Sequence, residues 1–270
     1  MSDPEAFTSE IANAQKAEPR RAGITQALFP ACLHFGDKCI PLPPLSYKTI
    51  LGKGMASPNK HIRVGITGGI GAGKSLITKL FQVLGVPVYY ADERAKYLMN
   101  ISPELRRGII RLFGTKAYGP DGRINRPYLA KKAFSDPDKL KALEALVHPV
   151  VFQDTESWEE KHKNVPYTLR EAALLFESGN YKKLDKIITV TAPEEIRIQR
   201  ILQRDKVPRE AVLARIRRQW PEEEKVKRSD FVIVNDNKHL LIPQVLAIHE
   251  QLLKEATEDL AEHLLPKGKK

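Results

Sequence analysis

The sequence predicts an α/β protein with three layers, α/β/α, in which helices cover both faces of a parallel sheet. Short apolar runs rich in β-branched residues alternate with segments whose apolar residues recur at helical spacing. One such run leads directly into a glycine-rich loop that opens a helix. The composition is globular, 42% apolar and 29% charged over 270 residues, enough for a sizeable core.

The elements follow in order. HIRVGIT (His61–Thr67) is a strand, and SLITKLFQVL (Ser75–Leu84) has the period of a helix. VPVYY (Val86–Tyr90) is a second strand, ending at Ala91-Asp92. A polar-rich helical stretch, roughly Glu93–Lys163, is broken at Gly114 and at the turn Gly119-Pro120-Asp121-Gly122. Strands are expected at Tyr167–Phe176, Lys186–Thr191 and Phe231–Val234, because each is a short apolar run between helical segments. Helices are expected at Pro193–Arg204, Arg209–Gln219 and around Gln244–Leu265, and the final PKGKK is a solvated charge run. Residues 1–54 carry six prolines and no sustained period. They read as a disordered extension or as translated sequence upstream of a start at Met55, leaving 55–270 as the folded domain.

Between the first strand and helix, Gly68, Gly73, Lys74 and Ser75 satisfy G-x-x-x-x-G-K-[ST], the P-loop pattern. Gly68, Gly69, Gly71 and Gly73 allow backbone conformations closed to other residues, so successive N–H groups can surround a phosphate. Lys74 is placed for the β- and γ-phosphates, Ser75 for Mg²⁺, and the helix adds its positive end. The loop alone leaves kinases, GTPases and motor ATPases open.

A net charge of +11 suits a partner rich in phosphate. No basic segment interleaved with aromatics and no zinc-finger pattern is present, which favours small phosphorylated ligands over nucleic acid. Both cysteines, Cys32 and Cys39, precede Met55, and no apolar run reaches membrane-spanning length; the expected location is the cytoplasm. Asp92, directly after the second strand, is placed either as the acid that meets an acceptor hydroxyl or as a helix N-cap. Arg200 and Arg204 share a helix face, for a transferring phosphoryl group or simply for solvent. Glu171 and Glu177 are acids at a strand end, available to support Mg²⁺ or to serve the fold.

GITGGIGAGKS, YYADERA, FGTKAYGPDGRINRPYLAKKAF, LEALVHP and EAALLFESG, in that order, resemble the dephospho-CoA kinase family. So do R-x-x-x-R-D at Arg200–Asp205, RIRRQ at 215–219, EEK at 223–225 and SDFVIVN ending at Asn235. The resemblance spans about residues 60–255. It implies a P-loop NTPase core, a helical CoA-binding part at about 93–163 and a small lid at about 200–219. It also implies transfer of the ATP γ-phosphoryl, with Mg²⁺, to the ribose 3′-hydroxyl of dephospho-CoA by a monomer or small homo-oligomer.

Carried over, Gly71, Ala72, Gly73, Lys74, Ser75 and Leu76 hold the ATP phosphates, and Asn235 lies near the adenine. Asp92 is the acid at the acceptor hydroxyl, Arg126 and His148 bind CoA, and Arg200 and Arg204 approach from the lid. Taken alone, His148 before Pro149 reads as a helix-end residue. Tyr90-Ala91-Asp92 keeps only the second acid of the family's D-x-D, and Glu171 stands where an Asp is usual. Rival readings are another nucleoside or nucleotide kinase, or a GTPase switch. Against the latter, Leu240 in Asn237-Lys238-His239-Leu240 replaces the Asp that would bind guanine.

Overall fold

A computed structural model of the chain describes residues 32–35, 38–41 and 60–257. The chain divides into two units, 1–44 and 45–270. In the first, β1 (Cys32–Phe35) and β2 (Lys38–Pro41) pair antiparallel, with Phe35 opposite Lys38. The sequence reading placed no strand there; the rest of the extension, and the PKGKK tail, lie outside the described residues.

In the second unit, five strands form one sheet in the order β4-β5-β3-β6-β7. They are β3 (Ile62–Gly68), β4 (Val88–Tyr90), β5 (Tyr167–Glu171), β6 (Lys186–Thr191) and β7 (Phe231–Val234). Every pairing is parallel. All five carboxyl ends therefore lie along one edge, where open α/β sheets bind ligands. Side chains alternate between the two faces. Ile62, Val64 and Ile66 of β3 and Ile188 and Val190 of β6 pack with α1 (Lys74–Val83) and α9 (Leu241–Thr257). Ile187 points the other way, against Leu175, Phe176, Leu184 and Trp220.

The helical middle has a core of its own. It comprises α2 (Ala91–Ile101), α3 (Pro103–Phe113), α4 (Arg126–Phe134) and α5 (Pro137–His162). Leu98, Leu105, Ile109, Phe113, Leu129 and Val147 are buried together there. Starts are marked by capping side chains: Ser102 accepts from the Leu105 N–H, Asn125 from Tyr128 and Asp136 from Asp138 and Lys139. Each of these three helices has proline in its first turn, where an N–H has no partner to lose. A smaller cluster of Ile198, Ile201 and Val212 joins α6 (Glu194–Asp205) to α7 (Arg209–Ile216).

Several boundaries differ from the sequence reading: the second strand begins at Val88, not Val86, and the helix from Arg209 ends at Ile216, not Gln219. The strand expected over Tyr167–Phe176 stops at Glu171. Leu175 and Phe176 leave it and are buried on the far face, which an apolar run cannot announce by its periodicity. A short helix, α8 (Glu222–Lys227), precedes β7, and α9 begins at Leu241 with Pro243 in its first turn. Among the described residues no helix is long and apolar enough to cross a membrane.

The α1 face of the sheet is keyed by Phe81, which is wholly buried and meets the Tyr167 ring edge-on at 6.5 Å. Phe81→Ala removes that contact and leaves a cavity. It is expected to lower the unfolding free energy by about 3–5 kcal/mol in urea titration; a loss below about 1 kcal/mol would show that this face repacks.

Candidate active site

β3 ends at Gly68, and residues 69–73 carry the chain to α1. Gly71 and Gly73 take φ of +82° and +95°. A Cβ on Gly71 would stand 2.6 Å from the Arg197 carbonyl oxygen, and one on Gly73 2.2 Å from Asn235 Nδ2. Both glycines are therefore demanded twice, by conformation and by close approach.

The loop carbonyls are bound from outside. Lys74 Nζ donates to Gly68 O at 2.9 Å and to Gly69 O at 3.3 Å. Arg200 Nη1 donates to Gly71 O at 3.4 Å, and Asn235 Nδ2 to Ala72 O at 2.8 Å. A trans peptide opposes its C=O and N–H, so anchoring the Ala72 carbonyl on Asn235 aims the Gly73 N–H away from it. That is how a loop offers N–H groups to an anion. The Ile70 N–H is committed elsewhere, donating to Gln219 Oε1 at 2.8 Å.

Charge is concentrated around Lys74. Burial pulls its ammonium below the ordinary lysine range, and Lys225 and Arg204 push the same way, while Glu171 and Asp92 oppose them. Glu171, at the carboxyl end of β5, is held above the ordinary carboxylate range by burial, with Asp92 and Glu93 adding to the effect and Lys74 opposing it. Asp92 is exposed in the first turn of α2. It is not the helix cap: α2 begins at Ala91, its N-cap is Tyr90, and no side chain caps it. The cap alternative fails because the helix starts one residue before the acid.

Asp92 and His148 line the same cavity, about 360 Å³, walled largely by Ala95, Met99, Leu129 and Val147 of the helical part. Arg126, exposed at the start of α4, is not among its lining residues. On the other side of the loop, a cavity of about 760 Å³ joins Gly73, Leu76, Leu80, Arg200 and Asn235 to Leu240, Leu241 and Pro243. Its apolar walls suit a planar base next to the phosphate loop.

The two arginines of α6 are separated in role. Arg200 Nη2 donates to Asn235 O at 3.1 Å, Asn235 Oδ1 at 3.2 Å and Asn237 Oδ1 at 2.6 Å. Arg204, one turn on, is exposed and ion-paired with Asp205 at 2.7 Å; Asp205 is also paired with Arg215 at 2.6 Å. Of the two acids considered for Mg²⁺ support, Glu177 is taken up by Lys225 Nζ at 2.8 Å and the Trp220 N–H at 2.8 Å. Glu171 remains beside Lys74 and Asp92.

Sequence reasoning missed three participants. Arg197 is buried beneath the loop, with Nε on Ala192 O at 3.1 Å and Nη2 on Glu222 at 3.1 Å. Gln219 and Lys225 sit in segments noted only for family likeness. Spacing carries no signal for them, since each acts through a partner more than forty residues away in sequence.

A sequence profile described as Dephospho-CoA kinase matches residues 62–240. The chain belongs to the dephospho-CoA kinase family. Among relatives so named, one from Bacteroides fragilis (strain YCH46) is 37% identical over 187 residues, covering 69% of this chain and 91% of the relative. One from Salinibacter ruber is 39% identical over 175 residues, covering 64% and 88%. A crystal structure from Thermus thermophilus superposes with a TM-score of 0.64 at 38% identity, covering 74% of this chain and all of that one. A dephospho-CoA kinase from Campylobacter jejuni gives a TM-score of 0.54 at 28% identity, covering 72% and 98%. Membership makes the chain a kinase with ATP as co-substrate, which gives the P-loop its phosphates.

Gly73→Ala should expose the loop's dependence on its conformation. A side chain at φ +95° collides with Asn235; strain of roughly 1–3 kcal/mol corresponds to ATP binding weakened by about 10–100-fold in calorimetry. Unchanged ATP affinity would mean that the loop adopts another shape when it binds.

Proposed function

We propose that this chain transfers the γ-phosphoryl group of ATP to the ribose 3′-hydroxyl of dephospho-CoA. The observation that carries the reading is the position of Asp92, which borders the helical part's apolar cavity and lies within the field of Lys74 at the phosphate loop. A long, partly apolar acceptor lying in that cavity brings its reacting end to Asp92.

In this reading the loop from Gly71 to Leu76 binds the ATP phosphates, and Lys74 exchanges its carbonyl contacts for β- and γ-oxygens. Asn235 holds the loop at the nucleotide side, near the cavity that takes the adenine. Asp92 accepts the proton of the acceptor hydroxyl as its oxygen bonds to the γ-phosphorus and the bond to the ADP oxygen breaks. Arg200 already touches the loop. Arg204 reaches the phosphates by leaving Asp205 when the lid closes, adding positive charge where negative charge develops. His148 contacts the acceptor within the cavity, and Arg126, outside it at the start of α4, is available to the acceptor's diphosphate.

The donors present fit Mg²⁺. Ser75 is exposed at the head of α1, and Glu171 and Asp92 supply hard oxygens nearby. Among the described residues no cluster of three or more His, Cys, Asp or Glu is assembled. Most ligands would thus come from phosphates and water, with Ser75 as a direct ligand and Glu171 supporting through water. Bound there, the ion neutralises charge on the phosphates. A cytoplasmic location, small-molecule partners rather than nucleic acid, and a monomer or small homo-oligomer accompany this reading.

The test is Asp92→Asn. Asparagine keeps the shape and cannot take the proton, so turnover should fall by about 10²–10⁴-fold with ATP affinity and melting temperature unchanged. Wild-type turnover would remove Asp92 from the reaction and move the search for the base to Glu171.

A further inference from the structure

We propose that Lys225 is a positioning residue for the phosphate loop, acting through Glu177 and the Gln219-Trp220 turn, and not a ligand of phosphate. The side chain of Lys225 is buried, 1% exposed, in α8. It lies close enough to Lys74 to depress its pKa. A second cation so near the loop suggests direct phosphate binding, but its geometry points elsewhere. Lys225 borders a cavity of about 890 Å³ that also reaches Gly69, but its Nζ is held on Glu177 Oε1 at 2.8 Å, so an anion there would have to break that pair.

The pair leads to the loop in two steps. Glu177 Oε1 also accepts the Trp220 N–H at 2.8 Å, and Phe176 stacks on the Trp220 ring at 5.9 Å and 14°. The preceding residue, Gln219, then presents Oε1 to the Ile70 N–H at 2.8 Å and Nε2 to Ala173 O at 3.4 Å. The end of β5, the root of the lid after α7 and the phosphate loop are thus joined through one carboxylate and one amide. Removing one member of a buried ion pair costs more than removing both. A lid that moves without this tie would release the Ile70 N–H, and the loop would lose part of its shape. The proposal goes beyond the choice of acceptor and is read out first in ATP binding, which needs no acceptor, so its failure is distinguishable from failure of the proposed reaction.

Three variants test it by calorimetry with ATP, thermal melting and steady-state rates. Gln219→Met keeps the bulk and loses the acceptor; freeing the part-buried Ile70 N–H lets the loop leave its shape and should weaken ATP binding by about tenfold, with the KM for dephospho-CoA unchanged. Lys225→Met alone strands a buried carboxylate and should lower both melting temperature and ATP affinity. The double variant Glu177→Gln/Lys225→Met keeps an acceptor for the Trp220 N–H without any buried charge, and should restore both, with kcat within about threefold of the parent. A double variant that folds and binds ATP but has lost about a hundredfold in kcat would make Lys225 a phosphate ligand and overturn the proposal. A double variant that does not fold, or Gln219→Met with normal ATP affinity, would overturn it equally.

Discussion

A backbone loop that offers N–H groups to an anion leaves its carbonyls to be satisfied elsewhere, and the architecture around residues 68–73 answers that requirement. The donors come from three places. Lys74 is the loop's own continuation, Arg200 belongs to α6, and Asn235 follows β7. They converge because the sheet is parallel, with β3 central and the carboxyl ends of β6 and β7 on the same edge. Replace any of these connections by an antiparallel return and the donors would arrive at the wrong end. The fold serves the site mainly by making these long-range hydrogen bonds short.

The electrostatics follow from the same crowding. Lys74, Arg200, Arg204 and Lys225 gather near one loop in a chain of net charge +11, a costly arrangement unless acids or a polyanion balance it. Each acid present is divided among specific tasks: Asp205 holds Arg204, Glu177 holds Lys225, and Glu171 and Asp92 face Lys74. Bound ATP completes the balance. Separately, the helical part keeps its own core of Leu98, Leu105, Ile109 and Phe113, distinct from the core around the sheet.

Much of this was legible in the sequence, and the reason is local. Gly71, Gly73, Lys74 and Ser75 owe their meaning to near neighbours, and Lys186–Thr191 and Phe231–Val234 are strands as read. The family likeness was equally readable, because its blocks are contiguous. What escaped was set by distance along the chain. Gln219 meets Ile70 across 149 positions and Glu177 meets Trp220 across 43, and no periodicity encodes either bond. Leu175 and Phe176 were taken for strand because an apolar run says that residues are buried, and not which face buries them. The cap reading of Asp92 could be set aside only by where α2 begins, one residue earlier than a cap at Asp92 allows.

The central claim, that the γ-phosphoryl group of ATP passes to the ribose 3′-hydroxyl of dephospho-CoA, is tested most directly by ADP release. The protein, with ATP and Mg²⁺, is offered dephospho-CoA, AMP, adenosine or no acceptor, and the product is located on the ribose by NMR. Release should require dephospho-CoA and give the 3′-phosphate, with AMP and adenosine near the acceptor-free background. Equal release with AMP, or phosphate at another position, would contradict the account.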